Sequence, residues 1–207
     1  MRRAGRPSRL GLTLAEILVG TFVATMIFGM MLQVLRMQNS LAYSDEARLT
    51  AQKSIQLLFK NLDRIAETTS RDGVAVSPDG HTFSLQVIQT ISQNGTHSWS
   101  PLLEIYTFDT KQRTLLKGEV PLQDMGLTHQ PSLPAAVNDE TLGKAVLLLR
   151  SRNKFKPIAR NVDSFEVKKV SSVALEATIT MVMKSGRHKD ETVKGTRRLL
   201  FASSLDI

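Results

Sequence analysis

The chain of 207 residues contains no cysteine. Its fold must be held by a packed core alone, which excludes disulfide scaffolds and cysteine-ligated metals. Aromatic residues are scarce, at 5% with a single tryptophan, Trp99, so no cluster of rings is present on which nucleobases would stack. The four histidines, His81, His97, His129 and His188, lie far apart, with neither H-x-x-x-H nor H-E-x-x-H spacing. There is no G-x-S-x-G sequence and no glycine-rich loop opening a helix after a strand. The sequence therefore reads as a non-enzyme that takes no cofactor and no metal. Asp79, Asp109, Asp139 and Asp163 fall in expected turns or at strand ends, where acceptor side chains suit tight backbone geometry.

Two further gaps are local. Charge is missing from residues 12–35 except at Glu16, and proline and glycine are missing from residues 30–69. As a helix, residues 12–35 would be roughly 36 Å long at about 1.5 Å per residue, enough to span a hydrocarbon core of about 30 Å. Arg2, Arg3, Arg6 and Arg9 precede this stretch and only Arg36 follows closely, so the positive-inside bias places the N-terminus in the cytoplasm. A secretory signal would have a shorter apolar region and a small-x-small cleavage triplet. Neither feature is present.

Glu16 is costly in that setting, because an ionised carboxylate in a membrane helix costs about 2.5–3.5 kcal/mol on insertion scales. Either it sits near enough to the interface to reach water, or it has a partner. Its surroundings read Gly11-Leu12-Thr13-Leu14-Ala15-Glu16 behind a short basic leader, and this arrangement resembles the type IV prepilin processing motif. The resemblance implies cleavage after Gly11 by a membrane prepilin peptidase, N-methylation of Leu12 as the new N-terminus, and Glu16 as the glutamate at the fifth mature position. Leu12 stands where the family usually has phenylalanine. The resemblance also implies that Glu16 pairs with the amine of a neighbouring subunit during filament assembly, where an unpaired buried charge would be costly. Loss of four leader arginines would take the formal net charge from +8 to +4.

Beyond the membrane segment, Ala51, Ile55, Leu58, Leu62 and Ile65 recur at helical spacing, and Asp72-Gly73 offers a stop. A helix of more than 50 residues is expected, with residues 12–35 in lipid and residues 36–70 outside, packed on a sheet. From residue 73 the period changes to two. Strands are expected at 74–77, 81–91, 102–108, 114–117, 145–150, 161–169, 173–184 and 192–202, separated by turn formers such as Pro78-Asp79-Gly80 and Asn94-Gly95. Residues 119–143, with Pro121, Pro131 and Pro134, read as a functional insertion or a mobile loop. Trp99 reads as a core anchor, and Asn94-Gly95-Thr96 as a turn rather than a glycosylation site.

The expected fold class is α+β: a long N-terminal helix packed on an antiparallel β-rich globular domain over 73–207, pilin-like by the resemblance. The layout of 73–207 resembles larger minor pseudopilins of type II secretion, the J-type component in particular, while Glu16 sets the chain apart from the K-type tip subunit. That resemblance implies a structural subunit of the pseudopilus tip in protein secretion. It implies a single-pass location in a bacterial inner membrane with the domain periplasmic, and as partners other pseudopilins, the prepilin peptidase and secreted substrate. Calcium binding, known in some relatives, has no recognisable ligand spacing. Lys184, Arg187, Lys189, Lys194, Arg197 and Arg198 form a basic C-terminal cluster, read first as solvated strand faces and edge protection. The alternatives are a minor type IV pilin for pilus assembly or DNA uptake, with Arg187, Lys189, Lys194, Arg197 and Arg198 as nucleic-acid contacts, or an unprocessed membrane-anchored periplasmic binding domain.

Overall fold

The computed structural model describes residues 13–93, 95–171, 174–183 and 190–201. Helix α1 runs over Leu14–Ala66, 53 residues without a break. It starts where Thr13 and Glu16 form reciprocal hydrogen bonds, the capping-box arrangement that satisfies otherwise orphaned first-turn donors. It ends with Arg64 in the last turn, favourable beside the carbonyl end of the helix dipole.

The chain forms two compact units, residues 1–45 and 46–207. Over residues 17–32, within the first unit, α1 is apolar nearly all round and its side chains are exposed, Phe22 at 66% and Phe28 at 63% among them. The helix is long and apolar enough to cross a membrane.

In the second unit α1 is amphipathic. Ala51, Ile55, Leu58, Phe59, Leu62 and Ala66 are buried, and Ile65 packs against the same core at its margin. The rest of the unit is β-rich, with strands β1 (Val74–Val76), β2 (Thr82–Ile91), β3 (His97–Asp109), β4 (Thr114–Pro121), β5 (Lys156–Arg160), β6 (Val162–Ser171), β7 (Ala174–Met183) and β8 (Glu191–Leu200). The first five form one antiparallel sheet in the order β1-β2-β3-β4-β5, and the last three a second in the order β6-β7-β8.

A single residue, Asn161 at φ 59°, separates β5 from β6. Asparagine tolerates this left-handed conformation better than most residues, so the chain can leave one sheet and enter the other at once. The sheets also meet at the turn before β2, where Gly80, at φ 70°, accepts from the Val167 amide at 2.9 Å. The His81 ring nitrogen lies 2.8 Å from the Phe165 carbonyl.

One core joins α1 to both sheets through residues such as Phe83, Tyr106, Phe165, Ile179 and Leu199. Phe83 stacks on Tyr106 with ring centroids 4.7 Å apart. Contact between α1 and β8 is close at Gly195, where a Cβ would lie 2.6 Å from Ile55 Cγ2. A larger residue there would force the Ile55 side chain, or the helix that carries it, to shift.

Three sequence expectations need correction. Residues 145–150 are not a strand but belong to helix α2, Asp139–Ser151. The run Ala-Val-Leu-Leu-Leu is too uniformly apolar to distinguish the two periods. Asn138, whose side chain accepts the Thr141 amide at 2.8 Å, supplies an N-cap, and Leu142, Ala145 and Leu149 make one buried face. They pack with Leu103, Ile105 and Val120 as a second core on the other face of the five-stranded sheet.

Second, residues 119–143, expected as a functional insertion or a mobile loop, contain regular structure that this expectation did not include. They hold the end of β4, a 3-10 turn over Leu122–Met125 and the start of α2. The connecting stretch is tied down by Gln86, which donates to Ser100 O at 2.7 Å and accepts from Ala135 N at 2.8 Å, and by Trp99 N donating to Pro131 O at 2.8 Å. Third, β5 was not anticipated, because Pro157 interrupts its run. Proline is admitted at sheet edges, and β5 is an edge strand.

Candidate functional site

Gly11 and Leu12, the residues of the expected processing site, lie outside the described residues, as do Arg187, Lys189, Lys184, His188 and Asn94. The described part of the motif begins at Thr13. Glu16 Oε2 accepts from the Thr13 amide at 2.8 Å and from the Thr13 hydroxyl at 3.0 Å, while Glu16 N donates to Thr13 Oγ1 at 3.3 Å. The carboxylate thus closes its own helix start. Among the described residues both side-chain bonds fall on one oxygen, Oε2, which leaves Oε1 to accept from another group. A carboxylate held at a helix N-terminus is favoured by the dipole there. Helix and charge are arranged together by three residues of sequence.

The basic cluster is divided by the pleat of β8. Lys194 and Arg198 point to one face, opposite Thr180 and Glu176 of β7. Arg197 points to the α1 face. Its guanidinium meets Asp63 Oδ2 at 3.1–3.2 Å, and Arg198 lies 3.5 Å from Glu176. Among the described residues of the cluster, Lys194, Arg197 and Arg198 therefore do not lie on one face, and both arginines carry a carboxylate partner.

The four aspartates stand in local roles. Asp79 accepts from the Ser77 hydroxyl and from the His81 amide, and the Ser77 hydroxyl chiefly holds its carboxyl below the ordinary value. Asp109 accepts from the amides of Lys111 and Gln112 at 3.0 and 3.1 Å. Asp163 pairs with Arg113 at 3.6 Å, and Asp139 opens α2. Among the described residues no group of three His, Asp or Glu side chains is placed to hold a metal ion. Trp99 is 3% exposed and belongs to the interior.

A feature that the sequence did not reveal is a groove of about 610 Å³ in the second unit, between the 54–65 stretch of α1 and the edge where β5 turns into β6. Beside it Tyr106 is buried and donates to Glu104 at 2.8 Å, while Lys117 reaches Glu104 at 2.9 Å and Glu119 at 3.6 Å. Burial, and next the charge of Glu104, push the Tyr106 hydroxyl far above its ordinary pKa. Glu104 and Tyr106, two apart on a strand, were legible as one-sided neighbours. Lys117 joins them only through the β3–β4 register, which pairs it with Tyr106.

No protein-family model, no curated protein and no solved structure matches this chain.

Proposed function

We propose that the chain is a structural subunit of an envelope filament, a minor pseudopilin of the type II secretion kind. In this reading α1 inserts into the bacterial inner membrane with the leader in the cytoplasm and the β-rich unit in the periplasm. A prepilin peptidase cuts after Gly11 and methylates Leu12. The processed helix then leaves the bilayer to pack with other pseudopilins, whose globular domains meet this one near the filament tip.

The observation that carries the reading is the join at Thr13–Glu16. A capped helix start holds the only charge in 12–35 immediately after the glycine-leucine pair, at the head of a rod whose first part offers apolar side chains on every face. A helix that is hydrophobic all round requires lipid or other helices around it. Filament assembly provides the second without changing the surface.

Mass spectrometry of the N-terminus in the native host tests the reading. A mature chain beginning at methylated Leu12 is expected, and Gly11→Ala should leave the precursor uncut. An intact basic leader on the wild-type protein would instead favour the membrane-anchored binding domain. The pilus and DNA-uptake alternative relies on the basic hairpin, and the opposed faces of Arg197 and Arg198, each with its carboxylate, give it less support than secretion.

A further inference from the structure

The groove beside α1 has a composition of its own. Its apolar walls include Leu57 on the helix and Ile158 on β5, exposed to 63% and 38%, together with Met183 at the end of β7. Three cations line it, Arg64, Lys117 and Arg160, and no carboxylate does. Lys117 is paired with Glu104 and Glu119. Arg64 and Arg160 are exposed, and among the described residues no carboxylate pairs with either.

The geometry points to this groove as the docking site for an extended, apolar peptide segment of a partner protein that carries acidic residues at its ends. The helical wall from Ser54 to Ile65 is about 16 Å long at about 1.5 Å per residue, the length of roughly five extended residues. The opposite wall includes Ile158, Ala159 and Arg160 of β5, an edge strand that pairs with β4 on one side and with no strand on the other among the described residues, the kind of edge to which an extended peptide can add. Lys156 and Pro157 on that strand discourage pairing with a second copy of the same basic edge. An acidic chain meets no such repulsion, and its carboxylates complement the lining residues Arg64 and Arg160, which have no carboxylate partner among the described residues. Methionine on the apolar wall adapts to different aliphatic side chains. The inference concerns the globular unit and is independent of processing at Gly11.

The test uses the full chain in non-ionic detergent micelles and a fluorescein-labelled synthetic peptide of about five residues, leucine and isoleucine flanked by glutamate and aspartate, with fluorescence anisotropy as readout. Saturable binding is expected, weakened about tenfold or more by Arg64→Glu and by Arg160→Glu. A peptide with lysines in place of the acids should bind the wild type poorly and the two variants better. Exposure of both arginines keeps the fold intact in these variants, which circular dichroism verifies. Absence of saturable binding, equal binding by the variants, or equal binding of the lysine peptide to the wild type would overturn the assignment. In nanodiscs containing phosphatidylglycerol the peptide should still bind. Its loss there, with retention in phosphatidylcholine discs, would mean that lipid headgroups occupy the arginines, and would overturn it equally.

Discussion

Replacing Glu16 by glutamine and, separately, by alanine divides the two tasks open to its carboxylate. Oε2 accepts the Thr13 amide at 2.8 Å and the Thr13 hydroxyl at 3.0 Å, and a glutamine carbonyl can take both bonds without charge. Glu16→Gln therefore keeps the helix cap. Glu16→Ala loses the carboxylate half of the capping box, while the amide of residue 16 can still donate to Thr13 Oγ1. Both remove an ionised side chain whose insertion costs about 2.5–3.5 kcal/mol, so neither variant should hinder entry into the membrane. If Glu16 pairs with a neighbouring subunit as proposed, both variants lose a charge-assisted contact worth about 1.5–3 kcal/mol. That corresponds to roughly a ten- to hundredfold loss of association at each step of filament growth. Both variants should be cut after Gly11, as read by N-terminal mass spectrometry, and both should be missing from sheared or cross-linked filaments. A glutamine variant that assembles like the wild type while alanine fails would reduce Glu16 to a cap and refute the charge pairing.

Helix α2 yields a contrast between two leucines: Leu149→Ala, at a buried position, should destabilise the globular unit by about 2–5 kcal/mol, whereas Leu147→Ala, at a position 69% exposed, should leave the denaturation midpoint unchanged; a strand at 145–150 would make both costly. Gly195→Ala places a methyl group 2.6 Å from Ile55 Cγ2 and should lower stability by about 1–3 kcal/mol. Ile55→Ala should relieve that strain in a double-mutant cycle, and strict additivity would rule out the contact. Asp79 titrates with a lowered carboxyl pKa, owing first to the Ser77 hydroxyl. Its contribution to stability is therefore present above the unfolded value of about 3.9 and lost as pH falls through the lower folded value. Asp79→Asn should flatten the acid limb of a pH–stability curve, and an unchanged limb would remove this carboxylate from the acid response.

Legibility in the sequence followed the strength of the local pattern. The period-two alternation of Leu175, Ala177, Ile179 and Met181 in the sequence appears as the buried face of β7, which pairs with β8. The helical spacing from Ala51 to Leu62 appears as the face of α1 that enters the core. Where the chain was uniformly apolar, as at 145–150, both periods fitted and only the cap at Asn138 could decide. Where a polar residue works at long range no local signal existed. Gln86 joins Ser100 to Ala135 across 14 and 49 residues of sequence, and this bridge orders the stretch that its prolines made resemble a loop. The Glu104–Tyr106–Lys117 set and the groove beside it depend on sheet register and on the approach of α1, both of which are tertiary.

Helix α1 changes its demands on its surroundings along its length. From Leu14 at 82% exposure to Met31 at 63% it offers bulky apolar side chains in every direction, so this stretch requires a medium that solvates hydrocarbon all round. In the second unit most of the apolar residues contract to one buried face, and Lys53, Lys60 and Arg64 take the other, with Leu57 left exposed. That half is satisfied by a sheet on one side and water on the other. A water-soluble helix bundle would need the amphipathic pattern throughout. A simple membrane anchor would need neither the uninterrupted 53-residue helix nor a carboxylate capping its start. Both features fit the proposed filament role, in which the first half leaves lipid for a bundle of like helices.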